Sequence, residues 1–296
     1  MNNTRTLVDT MEERLHKAYK LIQECVLCPR ACRKKRLEGE VGECKVMGTL
    51  IISSCGPHHG EEDCLRGWKG SGTIFLSGCN LGCIFCQNYT ISHLHEGVES
   101  SPGEVAAIML HLQSSGCHNI NFVTPTHFLP QLVEAIHWAK KKGLHLPVIW
   151  NCGGYESIAG LKILDGIVDI YMPDMKFSSS EASAELANAP HYFLVAKKAI
   201  KEMHKQTGDL VLTSDGLATR GLLVRHLVLP HDMSGTQAIL TFLHNEISPH
   251  TYVNIMDQYR PCYKAFQHSK MNRCINSKEY YDAIKFAKEI GLYRGF

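Results

Sequence analysis

Three cysteines lie within eight residues of one another, at Cys79, Cys83 and Cys86. Soft thiolate ligands at such close spacing suit an iron-sulfur cluster. Three thiolates leave one iron of a 4Fe-4S cluster open to a ligand that is not protein, whereas structural zinc sites are normally closed by four ligands. The spacing therefore predicts a catalytic cluster. The alternative is three buried cysteines that lie together without a metal.

A second group of cysteines precedes the first. Its members have ligand-like spacing, and they are Cys25, Cys28, Cys32 and Cys44. Four thiolates would close the coordination shell of a metal, so this group predicts a structural or an electron-relaying site. Spacing does not separate zinc from an iron-sulfur cluster, and both stay open.

These cysteines need a scaffold, and the pattern from Thr73 onward predicts one. Short apolar runs alternate with amphipathic helices, which is typical of βα units around a parallel sheet. We predict strands at 73–77, 119–123, 148–150, 167–172, 222–229 and 252–256. We predict helices at 11–23, from the Ser101 capping box, from Pro130 to Gly143, and at 156–164, 180–206 in two pieces, 235–246 and 277–290. Residues 53–62 are predicted to form a polar loop; the alternative is that His58, His59 and Glu61 enter the active site.

Two polar residues, Arg225 and His226, interrupt an apolar strand. Side chains alternate between the two faces of a strand, so one of the two must point into the fold. A charged residue pointing inward needs a partner. An Arg225 side chain reaching outward to a helix carboxylate is the alternative.

The motif CxxxCxxC with an aromatic residue before the last cysteine, here Phe85, resembles the radical S-adenosylmethionine (SAM) superfamily. Further motifs extend the resemblance over nearly the whole chain, to the pyruvate formate-lyase activating enzyme-like family; they are CVLCPRAC, GPHHGEE, GSGTIFLSGCNLGCIFCQN, VTPTHFLP, YMPDMKF, RHLVLP and VNIMDQYRP. The resemblance implies an α/β fold that is a partial (β/α)6 TIM-like barrel, residues 71–296, with an N-terminal cysteine-rich extension, residues 1–70. It also implies a 4Fe-4S cluster that cleaves SAM to a 5′-deoxyadenosyl radical for hydrogen abstraction.

With SAM as the cofactor that the resemblance implies, the candidate contacts after predicted strands are Phe85, Thr126, Asn151, Asp174 and Lys176, and Arg225 is a further candidate from within a strand. Asp174 and Lys176 are similar to an Asp-x-Lys element of activases that install glycyl radicals. A plain salt bridge on a loop is the alternative for that pair. The glycine-rich segment usual in the superfamily is missing near Thr126, so only a contact from Thr126 and its backbone carries over.

Composition excludes several classes of protein. With 31 Lys plus Arg against 29 acidic residues, the net charge of +2 gives no long-range attraction to phosphate, which argues against a nucleic-acid partner. The roughly 18 uninterrupted apolar residues of a membrane span do not occur. Thirteen cysteines cannot all pair within the chain, which favours metal ligation in the reducing cytoplasm.

Three functions remain open at this point. The first is an activase that installs a glycyl radical on a protein substrate. The second is a radical SAM enzyme that modifies a small molecule, a peptide or a nucleic acid; the third is a metal-binding interaction module without catalysis. Either enzyme would need SAM and a reductant such as flavodoxin or ferredoxin. Authentic activases carry extra cysteines after the SAM motif, and here they precede it, which weakens the first function.

Overall fold

The structure is a computed structural model, and it describes residues 10–296. The helices are α1 Met11–Gln23, α2 Asp63–Arg66, α3 Tyr89–Ser92, α4 Pro102–Ser114, α5 Leu129–Lys141, α6 Ile158–Leu164, α7 Ser180–Ala187, α8 Tyr192–Thr207, α9 Thr236–Phe242 and α10 Ser277–Glu289. The strands are β1 Leu50–His58, β2 Ser71–Leu76, β3 Val98–Ser100, β4 Ile120–Val123, β5 Val148–Cys152, β6 Ile170–Pro173, β7 Val211–Leu212, β8 Ala218–Leu227 and β9 Tyr252–Met256. None of the helices in this range has the length and apolar character needed to cross a membrane.

The strands form one mixed sheet with a parallel centre. Strands β2, β4, β5, β6, β8 and β9 pair in that order, all in parallel, and they correspond to the predicted strands. Within the described residues no pairing joins β9 to β1 or β3, so the sheet curls into an open barrel. The predicted α/β partial barrel is confirmed.

One prediction about the sheet is wrong. Most of the predicted polar loop at 53–62 is strand β1, which pairs antiparallel with β2, His58 opposite Ser71 and Ile52 opposite Leu76. Strand β3 then pairs antiparallel with β1. The polar stretch of β1 gives no apolar alternation because much of it is exposed near the edge of the sheet. Only its pairing with β2 reveals it as a strand.

Strand alternation divides the barrel into an outer and an inner face. In β4, Ile120 and Phe122 pack with the surrounding helices in the main core, whereas Val123 lines the barrel cavity. Helix α2 closes the lower end of the barrel, because Cys64 and Leu65 pack against inward-facing apolar residues such as Ile149, Ile170 and Leu223. The open end of the lumen therefore lies at the carboxyl ends of the parallel strands, where ligand sites of such sheets occur.

The N-terminal region packs onto this barrel. Helix α1 buries Ala18 and Ile22 in the main core and lies against α5 and α6. The Tyr19 hydroxyl donates a hydrogen bond to Glu134 Oε2 of α5, 2.5 Å away. The division of the chain into 1–70 and 71–296 remains a prediction.

Helix α10 is fixed at its start by one carboxylate, Glu279. It accepts hydrogen bonds from both terminal guanidinium nitrogens of Arg273, at 2.8 and 2.7 Å, and from the backbone N–H of Asn276 and of His231, each at 2.8 Å. The Asn276 side chain in turn accepts from the Glu279 backbone N–H, completing a capping box. Through the His231 N–H, the Glu279 side chain therefore links α10 to the loop after β8.

The hydrogen bonds from Arg273 lower the pKa of Glu279 from 4.5 to about 2. A lowered carboxyl pKa contributes stability that is complete above pH 4.5 and is lost as the pH falls toward 2. We expect Glu279→Gln to lower the free energy of unfolding by about 1 kcal/mol at neutral pH. The difference from the unchanged chain should shrink below pH 4.5, as urea titrations across that range would measure.

Glu289→Gln is the matched control, since Glu289 lies in the same helix and makes only an exposed pair with Lys285 at 3.6 Å. Its effect should stay within about 0.5 kcal/mol. An equal deficit for Glu279→Gln at neutral pH and well below pH 4.5 would contradict the role given to the carboxylate.

Candidate functional site

A cavity of about 350 Å³ lies at the carboxyl ends of the parallel strands. The predicted site residues that line it are Cys79, Cys83, Cys86, Phe85, Asn151, Asp174, Lys176 and Arg225. The structure thus brings together side chains from the loop after β2 and from the ends of β5, β6 and β8. Thr126 is the predicted contact of this site that does not line the cavity.

The cysteine loop after β2 starts with a sharp turn at Gly78. Its φ of +84° is in the left-handed region, and a Cβ there would lie 2.8 Å from the Cys44 carbonyl oxygen. Beyond the turn, the Leu81 N–H points at Cys79 Sγ at 3.3 Å, and Cys86 Sγ lies 3.1 Å from Ser92 Oγ of α3. Two of the three sulfurs therefore have a polar group within hydrogen-bonding distance.

The electrostatics of these thiols fit a cluster site. Burial raises the pKa of Cys83 to about 12, and the nearby Lys176 ammonium opposes that rise. Burial also raises the pKa of Cys79 well above its ordinary value, with Cys83 adding to the rise. Such thiols become thiolates only when a strong cationic partner binds them, which iron supplies. Three soft donors on one shielded cavity are a suitable donor set for a 4Fe-4S cluster.

Phe85 supports the cysteine loop from below. Its ring makes edge contacts with Phe177 and Tyr259, at centroid distances of 6.0 and 6.1 Å, and the side chain is 5% exposed. The aromatic residue before Cys86 therefore packs in the small apolar cluster under the loop, with part of its surface on the cavity.

A charged network lines the cavity beside the cysteine loop. Arg225 Nε donates to Asp174 Oδ1 at 2.9 Å, and its Nη2 donates to Asn151 Oδ1 at 2.8 Å. Lys176 Nζ also donates to Asp174, through Oδ2. Burial alone would raise the pKa of Asp174, but the charges of Arg225 and Lys176 lower it. The carboxylate stays ionised, so the three groups together carry one net positive charge.

Alternation along β8 decides which polar residue enters the lumen. Arg225 points inward, whereas His226 points outward, where Nδ1 lies 2.8 Å from the Met175 carbonyl and Nε2 lies 2.9 Å from Thr236 Oγ1. Burial lowers the pKa of His226, so the imidazole is neutral. The outward alternative for Arg225 does not occur in this structure.

Thr126 lies behind the cavity wall. It is 1% exposed, and its hydroxyl donates to Glu156 Oε1. Thr124 lines the cavity instead, in a left-handed backbone conformation with φ of +61°. The turn after β4 thus presents a different threonine from the one expected.

At the bottom of the cavity, sequence reasoning named Glu61 only as an alternative to a polar loop, and it missed Glu62, Asn121 and Asn254. Glu61, which follows β1, lines the cavity, and the Asn121 side chain donates to Glu61 Oε1 at 3.1 Å. Asn254 of β9 donates to Glu62 Oε1 at 2.8 Å. An asparagine inside an apolar strand is the same signal that pointed to Arg225, and it could have identified Asn121 and Asn254.

The N-terminal cysteines also lie together. Cys25, Cys28 and Cys44 are buried and Cys32 is partly buried, all as free thiols. Burial raises the pKa of Cys28 to about 12, and its neighbours Cys25 and Cys44 contribute to the rise. Across residues 10–296, no three His, Cys, Asp or Glu side chains are arranged as a site for a single metal ion.

Two contacts join this N-terminal group to the cysteine loop after β2. The Cys79 backbone N–H donates to the Cys44 carbonyl at 3.3 Å. Arg30 Nε donates to the Asn80 carbonyl at 2.9 Å, and its guanidinium also reaches the Asn188 carbonyl. The two cysteine groups are therefore direct neighbours.

An open parallel barrel with three cysteines on the loop after its first parallel strand defines a class of protein. The Radical SAM superfamily matches residues 73–218. The chain is 30% identical, over 285 residues, to the uncharacterized protein MJ0674 of Methanocaldococcus jannaschii, with 93% of this chain and 77% of that protein covered. This chain belongs to the radical SAM superfamily, whose members are enzymes that use a 4Fe-4S cluster and SAM.

The fold has a counterpart among solved structures. HydG, a maturase of the FeFe-hydrogenase, superimposes with a TM-score of 0.51 at 14% identity. The match covers 74% of this chain and 49% of HydG, so the chain spans about half of that protein's length. At this identity the likeness concerns the fold alone.

Proposed function

We propose that Cys79, Cys83 and Cys86 hold the 4Fe-4S cluster of a radical SAM enzyme. The observation that carries this proposal is the opening of all three thiols onto one cavity that also holds the Arg225 network. When bound, the cluster supplies the electron that cleaves SAM to methionine and a 5′-deoxyadenosyl radical, which abstracts a hydrogen atom from the substrate.

The residues of the charged network would bind the methionine part of SAM. Arg225 uses two of its five N–H donors on Asp174 and Asn151, which fixes the plane of the guanidinium. The net positive charge of Arg225, Lys176 and Asp174 suits a carboxylate. Apolar lining residues such as Leu81 and Leu227 would keep water away from a reactive radical.

The experiment is a SAM cleavage assay after anaerobic reconstitution with iron and sulfide. Under dithionite the protein should release 5′-deoxyadenosine. A reconstituted protein with full iron content that releases none would refute the enzyme proposal. That result would favour a metal-binding interaction module.

We infer two finer alternatives for the reaction. Installation of a glycyl radical on a protein substrate draws on the resemblance to activating enzymes, and the open side of the barrel gives room for a polypeptide loop. A partner radical seen by electron paramagnetic resonance would select this reaction. Stoichiometric 5′-deoxyadenosine with a mass change in a small molecule, a peptide or a nucleic acid would select the other. In both, a reductant such as flavodoxin or ferredoxin would replace dithionite.

We also propose that the N-terminal cysteines hold a second iron-sulfur cluster or a zinc ion. Four thiols, three of them buried, and the Arg36 guanidinium 3.7 Å from Cys25 Sγ support a site for a negatively charged metal-thiolate centre. The thirteen free thiols support a reducing location, the cytoplasm. Metal analysis of the Cys28→Ala variant should show that zinc is lost, or that the iron content falls to that of a single 4Fe-4S cluster.

A further inference from the structure

We propose that the bottom of the cavity recognises a protonated amine of the substrate, with Glu61 as the specificity-determining residue. We call the side chains of Glu61, Glu62, Asn121 and Asn254 the acidic floor. Describing the ligand as the substrate rests on the proposed function, whereas the binding of an amine does not.

The position of the acidic floor follows from the topology. Strand β1 runs antiparallel to β2, so it ends at His58, beside the lower end of the barrel. The chain then turns under the lumen, and α2 plugs the barrel with Cys64 and Leu65. Glu61 lies just before this plug and faces the cavity, with its side chain 7% exposed.

Asparagines from two different strands hold the carboxylates. Asn121 Nδ2 donates to Glu61 Oε1 at 3.1 Å, and Asn254 Nδ2 donates to Glu62 Oε1 at 2.8 Å. The nearest cation is Arg225, whose Nη1 lies 3.7 Å from Glu61 Oε2. That distance is too long for a good hydrogen bond, and Arg225 is already bonded to Asp174.

Two acceptor atoms of the acidic floor lack any donor. They are Oε2 of Glu62 and Oδ1 of Asn121, and both atoms are shielded from solvent. Asn121 is 0% exposed, and its Oδ1 belongs to the same carboxamide that donates to Glu61. A buried acceptor without a donor is unfavourable. Of the acidic floor only Glu61 belongs to the cavity lining, so its carboxylate is the group that a ligand with N–H donors would reach first.

Charge selects the kind of donor. Beside the cysteines, Lys176 and Arg225 share Asp174, which leaves one positive charge in excess. The acidic floor instead has two carboxyl groups. Burial raises the pKa of Glu61, the Arg225 charge opposes that rise, and the neighbouring Glu62 adds to it. The cavity is therefore polarised, positive near Cys83 and negative at its bottom. An alkylammonium group supplies N–H donors and a positive charge to a floor whose nearest guanidinium nitrogen is 3.7 Å from Glu61, whereas a carboxylate or phosphate is repelled there.

An ammonium group can come from a free amine or from a lysine side chain of a polypeptide. The test measures binding to the reconstituted protein with SAM by anaerobic calorimetry. The probes are n-butylamine, the capped tripeptide acetyl-Gly-Lys-Gly-amide, and n-butanol as the neutral analogue. We expect at least one amine to bind about tenfold or more tightly than n-butanol, because a charge-assisted bond contributes at least 1.4 kcal/mol. The better amine identifies the source.

Glu61→Gln should weaken amine binding by about tenfold or more. Glu99→Gln, on the exposed edge strand β3, should leave it unchanged. Glu61→Asp keeps the charge and should retain part of the affinity, so it serves if the glutamine variant does not fold. Equal affinity of Glu61→Gln and the unchanged chain, or binding of neither amine, would overturn the inference.

The 5′-deoxyadenosine assay on the same preparations separates the two proposals. Release of 5′-deoxyadenosine without amine binding would refute only the proposal that the acidic floor binds an amine. Amine binding without release of 5′-deoxyadenosine would refute only the proposed radical SAM reaction.

Discussion

Cys83→Ala is expected to abolish reductive SAM cleavage, with a loss of more than about 100-fold, because even the outer partners of metal ligands contribute 10–100-fold. Cys83 is 8% exposed, and the Lys176 charge opposes the rise that burial causes in the pKa of its thiol. With two thiolates left, the cluster should be lost on desalting. Iron content and 5′-deoxyadenosine release after reconstitution measure the effect.

The matched control is Cys274→Ala, which removes an exposed thiol outside the cavity. It should keep the iron content and the cleavage rate of the unchanged chain. If Cys83→Ala retained both, while its circular dichroism spectrum showed a folded protein, the cluster would have to be assigned to other ligands.

The second large effect is expected for Arg225→Met, which removes the charge at nearly constant volume. Asp174 and Glu61 would then face each other across the lumen without the guanidinium that lies between them. Removing one partner of a buried ion pair typically costs 3–5 kcal/mol, so we expect the free energy of unfolding to fall by about 3 kcal/mol. SAM affinity should also fall by about tenfold or more, since its carboxylate loses a partner.

Arg220→Met provides the comparison on the same strand. Arg220 is exposed and donates a single hydrogen bond to the Gln206 carbonyl at 2.9 Å. Its loss should cost less than about 1 kcal/mol and leave SAM affinity unchanged. Urea unfolding and equilibrium binding would measure both variants. Equal losses of stability and of SAM affinity in the two variants would contradict the role given to the Arg225 guanidinium in the lumen.

Much of the barrel could be predicted from the sequence because its information is local. The buried parallel strands, such as β5 and β8, are apolar runs bounded by turns, and helix starts such as the Ser101 capping box are short motifs. Arg225 was identifiable as a candidate because alternation leaves only two directions for a side chain on a strand.

The rest depended on contacts distant in the sequence. Strand β1 is half exposed and polar, so only its pairing with β2 defines it. Thr124 lines the cavity in place of Thr126 because the backbone at Thr124 is left-handed. No local sequence pattern predicted that conformation. Glu61 reaches the lumen only because β1 ends beneath it, a fact of topology rather than of residue type.

The hydrogen bond between the Cys79 N–H and the Cys44 carbonyl has a consequence for proteolytic damage. The segment 37–41, which precedes Cys44, is exposed throughout and would be an easy place for a protease to cut. A nick there would leave a new chain end close to Cys44, and we expect it to weaken the hold of the Cys44 carbonyl on the Cys79 N–H. One cleavage on the surface would thus loosen the backbone that positions both groups of thiols, although it removes no residue from either.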